Sequence, residues 1–127
     1  MKIEIMNIGS TGFSTQDFDG GVAYCEMNCA GTSSGTAPSP LTAGGAFEYT
    51  LLANRIDDAN YGIKLPQAPL TSSARVNVIA NGPFGKSITV YVGPTFQLVD
   101  GATSLTVDCG KMKTFMRVAS DVLAVSG

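Results

Sequence analysis

The sequence predicts an all-β fold: an antiparallel β-sandwich, jelly-roll-like or barrel domain with a flexible Gly/Ser/Thr-rich N-terminal half. Three observations predict it. Short apolar-alternating runs recur about every 8 to 14 residues through the second half, the rhythm of strands linked by tight connections. Turn-forming groups separate them at Asn81-Gly82-Pro83, Gly93-Pro94, Asp100-Gly101 and Cys109-Gly110. No stretch carries firm helical periodicity: 51–62 alone holds a plausible helical turn, and its Asp57-Asp58-Ala59-Asn60 reads equally well as a loop.

In chain order, 2–8 is a short strand pattern, with Ile3 and Ile5 alternating against Lys2 and Glu4, and 9–21 is turn-forming throughout. A second strand fits 22–29. Residues 30–45 hold Gly, Ser, Thr and Pro at most positions and no charge, so they bury too little apolar area to offset their ordering entropy and read as a loop or an arm that orders on a partner. Residues 1–45 are therefore set apart as an N-terminal arm or loop region with short strands, the expected contact region, and 46–127 as the antiparallel β domain.

Strand patterns within that domain cover 46–53, 61–66, 74–81, 87–92, 104–107, 113–120 and 122–125. Period-two alternation turns Val76 and Val78 inward against Arg75 and Asn77, and likewise Ile88, Val90 and Val92. Leu105, Val107 and Phe115 face in, while Thr103, Thr106 and Lys111 face out. No internal repeat and no second domain stand out.

Charged residues make up 14% of the chain, against about 25% in an average soluble domain, and Ser, Thr, Asn and Gly fill the difference. Such a surface suits a protein packed against copies of itself or a larger lattice. A net charge of −2, with eight scattered Lys and Arg, disfavours nucleic-acid binding by phosphate neutralisation. The longest apolar stretch is too short to span a bilayer, and Glu4 interrupts the first apolar run, so neither a membrane nor a secretory role is expected. The chain reads as one made and folded in a cytoplasm.

Chemistry is sparse. The absence of histidine removes the commonest general base and the commonest transition-metal ligand. The closest carboxylates are Asp57-Asp58 and Asp17/Asp19, and both pairs sit in turn-type sequence where Asp serves the backbone. Cys25 and Cys29 form half of a zinc spacing without ligands to complete it, and they read as small buried hydrophobes. Cys109, beside Gly110, lies in a turn that leaves room for exposure, with no neighbouring cation pattern to mark it as an activated thiolate. An odd cysteine count argues for free thiols. Tyr49, Tyr61, Tyr91, Phe84 and Phe96 fit core or subunit packing better than a sugar platform. No catalytic, cofactor-binding or metal-ligating residue is assigned, and the chain is read as non-enzymatic.

The second half carries a resemblance. Lys64-Leu65-Pro66, then Val76-Asn77-Val78-Ile79-Ala80-Asn81, Thr89-Val90-Tyr91, Asp100-Gly101-Ala102-Thr103-Ser104, Gly110-Lys111 and Phe115-Met116-Arg117-Val118 follow one another in an order that resembles small virion structural proteins of tailed bacteriophages. The resemblance covers roughly half the chain and lacks the family's closing tryptophan-bearing run. It implies a capsid decoration, or cement, protein: a homotrimer on the capsid exterior, produced in the host cytoplasm, that stabilises the head by bridging major capsid subunits. Head-fibre or tail-associated modules that bind host glycans are the alternative within that group. A carboxylate-dependent carbohydrate-active enzyme built on Asp57, Asp58 and Asp100 is the alternative outside it.

Overall fold

The computed structural model describes residues 3–7, 22–39, 48–56, 61–65 and 75–127. Among these the chain is mostly β, with no helix. The strands are β1 (Ile3–Asn7), β2 (Val22–Asn28), β3 (Glu48–Asn54), β4 (Gly62–Lys64), β5 (Arg75–Asn81), β6 (Ser87–Tyr91), β7 (Gln97–Leu98), β8 (Ser104–Asp108), β9 (Met112–Ala119) and β10 (Val122–Ser126). They form a seven-stranded sheet in the order β1-β2-β3-β5-β9-β10-β7 and a three-stranded sheet in the order β4-β6-β8.

Both sheets are mixed, which corrects the antiparallel expectation. β1-β2, β2-β3, β3-β5, β4-β6 and β7-β10 pair in parallel, while β5-β9, β9-β10 and β6-β8 are antiparallel. The reason lies in the path of the chain. Consecutive strands β3, β4, β5 and β6 alternate between the two sheets, so each new strand enters beside one laid down a full circuit earlier and runs the same way. Val22 pairs with Glu48 and Glu48 with Arg75, steps of 26 and 27 residues, and Gly62 pairs with Thr89 at the same step of 27. The molecule thus contains a repeat, set by strand register and closed off by the antiparallel strands β8, β9 and β10.

Strands β1 and β2, from the segment read as an arm, belong to the same sheet as β3 and β5. Residues 32–37 form a turn in which the Ala37 N–H donates to the Ser33 carbonyl at 2.9 Å and the Ser33 and Thr36 hydroxyls lie 3.0 Å apart. Gly31 has φ +77°, and an added Cβ there would lie 2.6 Å from Thr36 Oγ1, so glycine is required. The segment is tied down where Lys64 N–H reaches the Pro38 carbonyl at 2.8 Å and Tyr91 Oη donates to the Thr32 carbonyl at 2.6 Å.

One apolar cluster joins the sheets. The larger contributes the registered rows Cys25-Leu51-Val78, Met27-Ala53-Ala80 and Tyr49-Val76-Phe115, and the smaller contributes Ile63, Ile88, Val90 and Val107. The alternation read from the sequence accounts for Val76, Val78, Ile88, Val90, Val92, Val107 and Phe115, all buried; Leu105 is only half-buried. Arg75 faces out as expected. Asn77 does not reach solvent, because flanking strands on both sides cover it. Strand β7 is too short, at two residues, to leave a sequence pattern.

Candidate interaction surface

The outward face of the large sheet is organised in registered rows. Glu48, Arg75, Met116 and Ala124 form one, and Tyr24, Thr50, Asn77, Thr114 and Ser126 the next. Glu26, Leu52, Ile79 and Met112 form a third, and Asn28, Asn54 and Asn81 a fourth. Parallel in-register strands stack equivalent positions about 4.8 Å apart, which lets short polar side chains bond along the row.

They do so twice. Asn81 Nδ2 donates to Asn54 Oδ1 at 2.7 Å, and Asn54 Nδ2 donates to Glu26 Oε1 at 3.1 Å and to Asn28 Oδ1 at 3.4 Å. In the adjoining polar row Thr114 Oγ1 donates to Asn77 Oδ1 at 2.8 Å while Asn77 Nδ2 donates to Thr50 Oγ1 at 3.2 Å. Between the polar rows run Leu52, Ile79 and Met112, with Met112 about half exposed. Among the positions named on this face, Glu26, Glu48 and Arg75 carry charge. The face is consequently broad, internally bonded and weakly charged, the composition expected of a surface that docks.

The two ends of the fold differ from this face and from each other. At one end the β5–β6 turn carries Phe84, fully exposed, beside Lys86, Asp108 and Lys111. Arg55 lies beneath this end, with its guanidinium carbon 4.7 Å from the Tyr61 ring centroid and its Nη1 donating to the Ser87 carbonyl. At the other end Pro94, Thr95, Phe96, Gln97, Thr103 and Asp121 line a cavity of about 310 Å³.

Several residues singled out in the sequence are placed by the fold. Cys25 and Cys29 are buried and unpaired, as small core hydrophobes. Burial pushes both thiols up to about 12; the Tyr49 hydroxyl, bonding to Cys25, works against that rise. Cys109, whose turn position left exposure open, is buried: Gly82 leaves room for its sulfur, and a Cβ at position 82 would lie 2.9 Å from Sγ. Tyr49 and Phe96 are buried, Tyr61 and Tyr91 half-buried, and Phe84 stands alone in solvent, so the five aromatics form no common platform.

Asp17, Asp19, Asp57 and Asp58 lie outside the described residues. Asp100 accepts the Ala102 N–H at 3.0 Å, a turn role. Among the described residues no three His, Cys, Asp or Glu side chains come together, and no helix is long and apolar enough to cross a membrane.

The sequence reading missed the asparagine row and the exposure of Phe84. The first had a signal, since "MN", "AN" and "AN" close β2, β3 and β5. The second had none, because a Pro-Phe-Gly turn looks the same whether its ring is covered or bare. Comparison of the chain with protein-family models, with curated proteins and with solved structures gives no match.

Proposed function

We propose that the protein is a non-enzymatic virion structural protein, a capsid decoration or cement protein that assembles as a trimer on the outside of a phage head and bridges major capsid subunits. The observation that carries this reading is the outward face of the seven-stranded sheet. Two hydrogen-bonded polar rows flank the apolar positions Leu52, Ile79 and Met112, and among the positions named on this face Glu26, Glu48 and Arg75 carry charge. A weakly charged face whose polar groups already bond one another loses little solvation when it is covered.

The order of motifs from Lys64 to Val118 supports the same assignment, as does the low overall charge. We read the two sheets over one core as a sandwich wound by successive circuits, in which the wide sheet offers the lattice a rigid plate. Three such plates on one rigid body would act together, each weak contact raising the effective concentration of the next.

The test is co-sedimentation of the purified chain with phage heads assembled without it, followed by imaging of the decorated particles. Density at three-fold or quasi-three-fold positions, and heads that withstand higher temperature once decorated, are expected. Binding to host-cell glycans with no binding to heads would overturn the reading in favour of a fibre module. Glycan cleavage that disappears in Asp57→Asn would overturn it in favour of an enzyme.

A further inference from the structure

We infer that the free edge of β8 is a docking site: an extended segment of the major capsid subunit pairs with it and continues the small sheet beyond β8. The capsid source rests on the reading above; the open edge does not.

The hydrogen-bond parity of β8 is fixed at both ends. The Cys109 N–H donates to the Lys86 carbonyl at 2.9 Å and the Val92 N–H to the Thr103 carbonyl at 2.9 Å, and these frame the bonded pairs Val107-Ile88 and Leu105-Val90. The backbone N–H and C=O of Thr106, and the N–H groups of Ser104 and Asp108, therefore point off the edge, where none of the described residues pairs with them. All three residues are exposed. The strand is also unguarded: it reads Ser-Leu-Thr-Val-Asp, pairs with β6 over its whole length without a bulge, and holds no Lys or Pro. The opposite edge of the small sheet is covered, since the Gly62 N–H donates to the Gly31 carbonyl at 3.1 Å and the Lys64 N–H to the Pro38 carbonyl at 2.8 Å.

Beside this edge runs an open groove of about 350 Å³ lined by Thr106, Asp108, Lys111, Met112, Lys113 and Gly127. It exists because the small sheet stops at β8 while the large one runs on past β5 through β9, β10 and β7. Leu105 and Val125 are left half-buried at the margin of the core. A strand laid along β8 with its apolar residues turned inward adds to their cover. Charge has little part in the recognition: Lys113 Nζ donates to Gly127 O at 2.7 Å, and Asp108 shares the groove with Lys111. The bonds on offer are those of a backbone, which an extended chain satisfies.

The overhang of the large sheet decides what can enter. Pairing β8 with β8 of a second copy requires a two-fold axis normal to the sheet, which puts both large sheets on the same side of the small ones. Each large sheet already extends under the place the other would take, so the two copies collide. A single extended segment carries no second layer and meets no such obstacle. The occupant is accordingly an arm, with apolar residues at every second position, and the partner that supplies it is the capsid subunit on which the protein sits.

The experiment follows amide hydrogen exchange on the full chain, free, with a synthetic peptide of residues 101–108 as the probe strand, and on phage heads assembled without the protein. The peptide suits the edge, because antiparallel pairing with Thr106 opposite Thr106 sets Leu105 opposite Val107 on the inner side. In the free chain the Thr106 amide is expected to exchange about tenfold or more faster than those of Leu105 and Val107, and to gain protection with the peptide and on heads. Methylating the peptide's Thr106 amide nitrogen is expected to weaken its binding about tenfold or more. Thr106→Pro removes the edge donor without touching the bonds to β6, and is expected to weaken peptide binding to the same degree and to keep a cooperative melt.

A peptide that leaves the Thr106 amide unprotected, or that binds as well when methylated, overturns the edge site whether or not Thr106→Pro folds. A chain that decorates heads while its Thr106 amide stays unprotected overturns the capsid arm as occupant and leaves the cement reading standing. A wild-type chain that does not bind heads overturns the cement reading and the capsid arm together, and the peptide result then stands for the edge alone. Self-association that disappears in Thr106→Pro assigns the edge to a second copy and overturns the inference.

Discussion

Asn81 donates its side-chain amide to Asn54 Oδ1 at 2.7 Å, joining the last residues of two parallel strands. Asn54 passes the connection on to Glu26 and Asn28. Replacing Asn54 with Ala removes the central member, and water takes over the exposed amide of Asn81. We expect a loss of about 0.5–1 kcal/mol, seen as a lower urea midpoint at unchanged m-value.

The neighbouring row gives a sharper case, because Asn77 is buried and bonded on both sides. Thr114→Val keeps the shape and deletes the donor, leaving Asn77 Oδ1 without its short bond. A destabilisation of about 1–3 kcal/mol is expected. The triple change Thr50→Val, Asn77→Leu, Thr114→Val should cost less than the sum of the single changes, since it leaves no polar group stranded; denaturant titration of all four variants checks this.

Gly82 is held by space. An added Cβ would meet the buried Cys109 Sγ at 2.9 Å and Arg55 Cβ at 3.0 Å, so both side chains must shift to admit it. Gly82→Ala should destabilise by about 1–3 kcal/mol. Adding Cys109→Ala should recover part of that loss, giving a favourable coupling in a double-mutant cycle measured by thermal melts.

The thiols predict the response to alkali. Burial raises the folded-state values of Cys25 and Cys29 from about 9 to about 12, so the folded protein keeps protons that the unfolded chain releases. Their stabilising contribution is complete below about pH 9 and is lost as pH rises toward 12. Melting temperature should fall across that window and fall less in Cys25→Ala, measured relative to its own value at pH 7. At pH 8 a thiol reagent should modify neither cysteine until denaturant is added.

Strand positions were legible because period-two alternation survives in either strand direction: β5, β6 and β9 match the runs at 74–81, 87–92 and 113–120 within two residues. Direction was not legible. The turn groups that announce an antiparallel hairpin also serve where the chain crosses from one sheet to the other, as Gly82-Pro83 does between β5 and β6. The repeat escaped notice because apolar residues vary along each row, Cys25, Leu51 and Val78 for example, while the asparagines that mark it occupy one position per circuit. For the candidate surface, low charge was visible in composition. Its gathering on one face required the register, and Phe84 could be recognised as bare only after its neighbours were placed.

The winding of the chain has a consequence for growth. Each circuit touches only the circuits beside it, so adding one is a local operation. Duplicating residues 55–81 in tandem would lay one more course in each wall, lengthen the amide chain by one link and widen the plate by about 4.8 Å, with the sealing strands at the C-terminal side displaced but otherwise unaltered. A lineage, or an engineer, needing a wider footprint has the means in a single duplication.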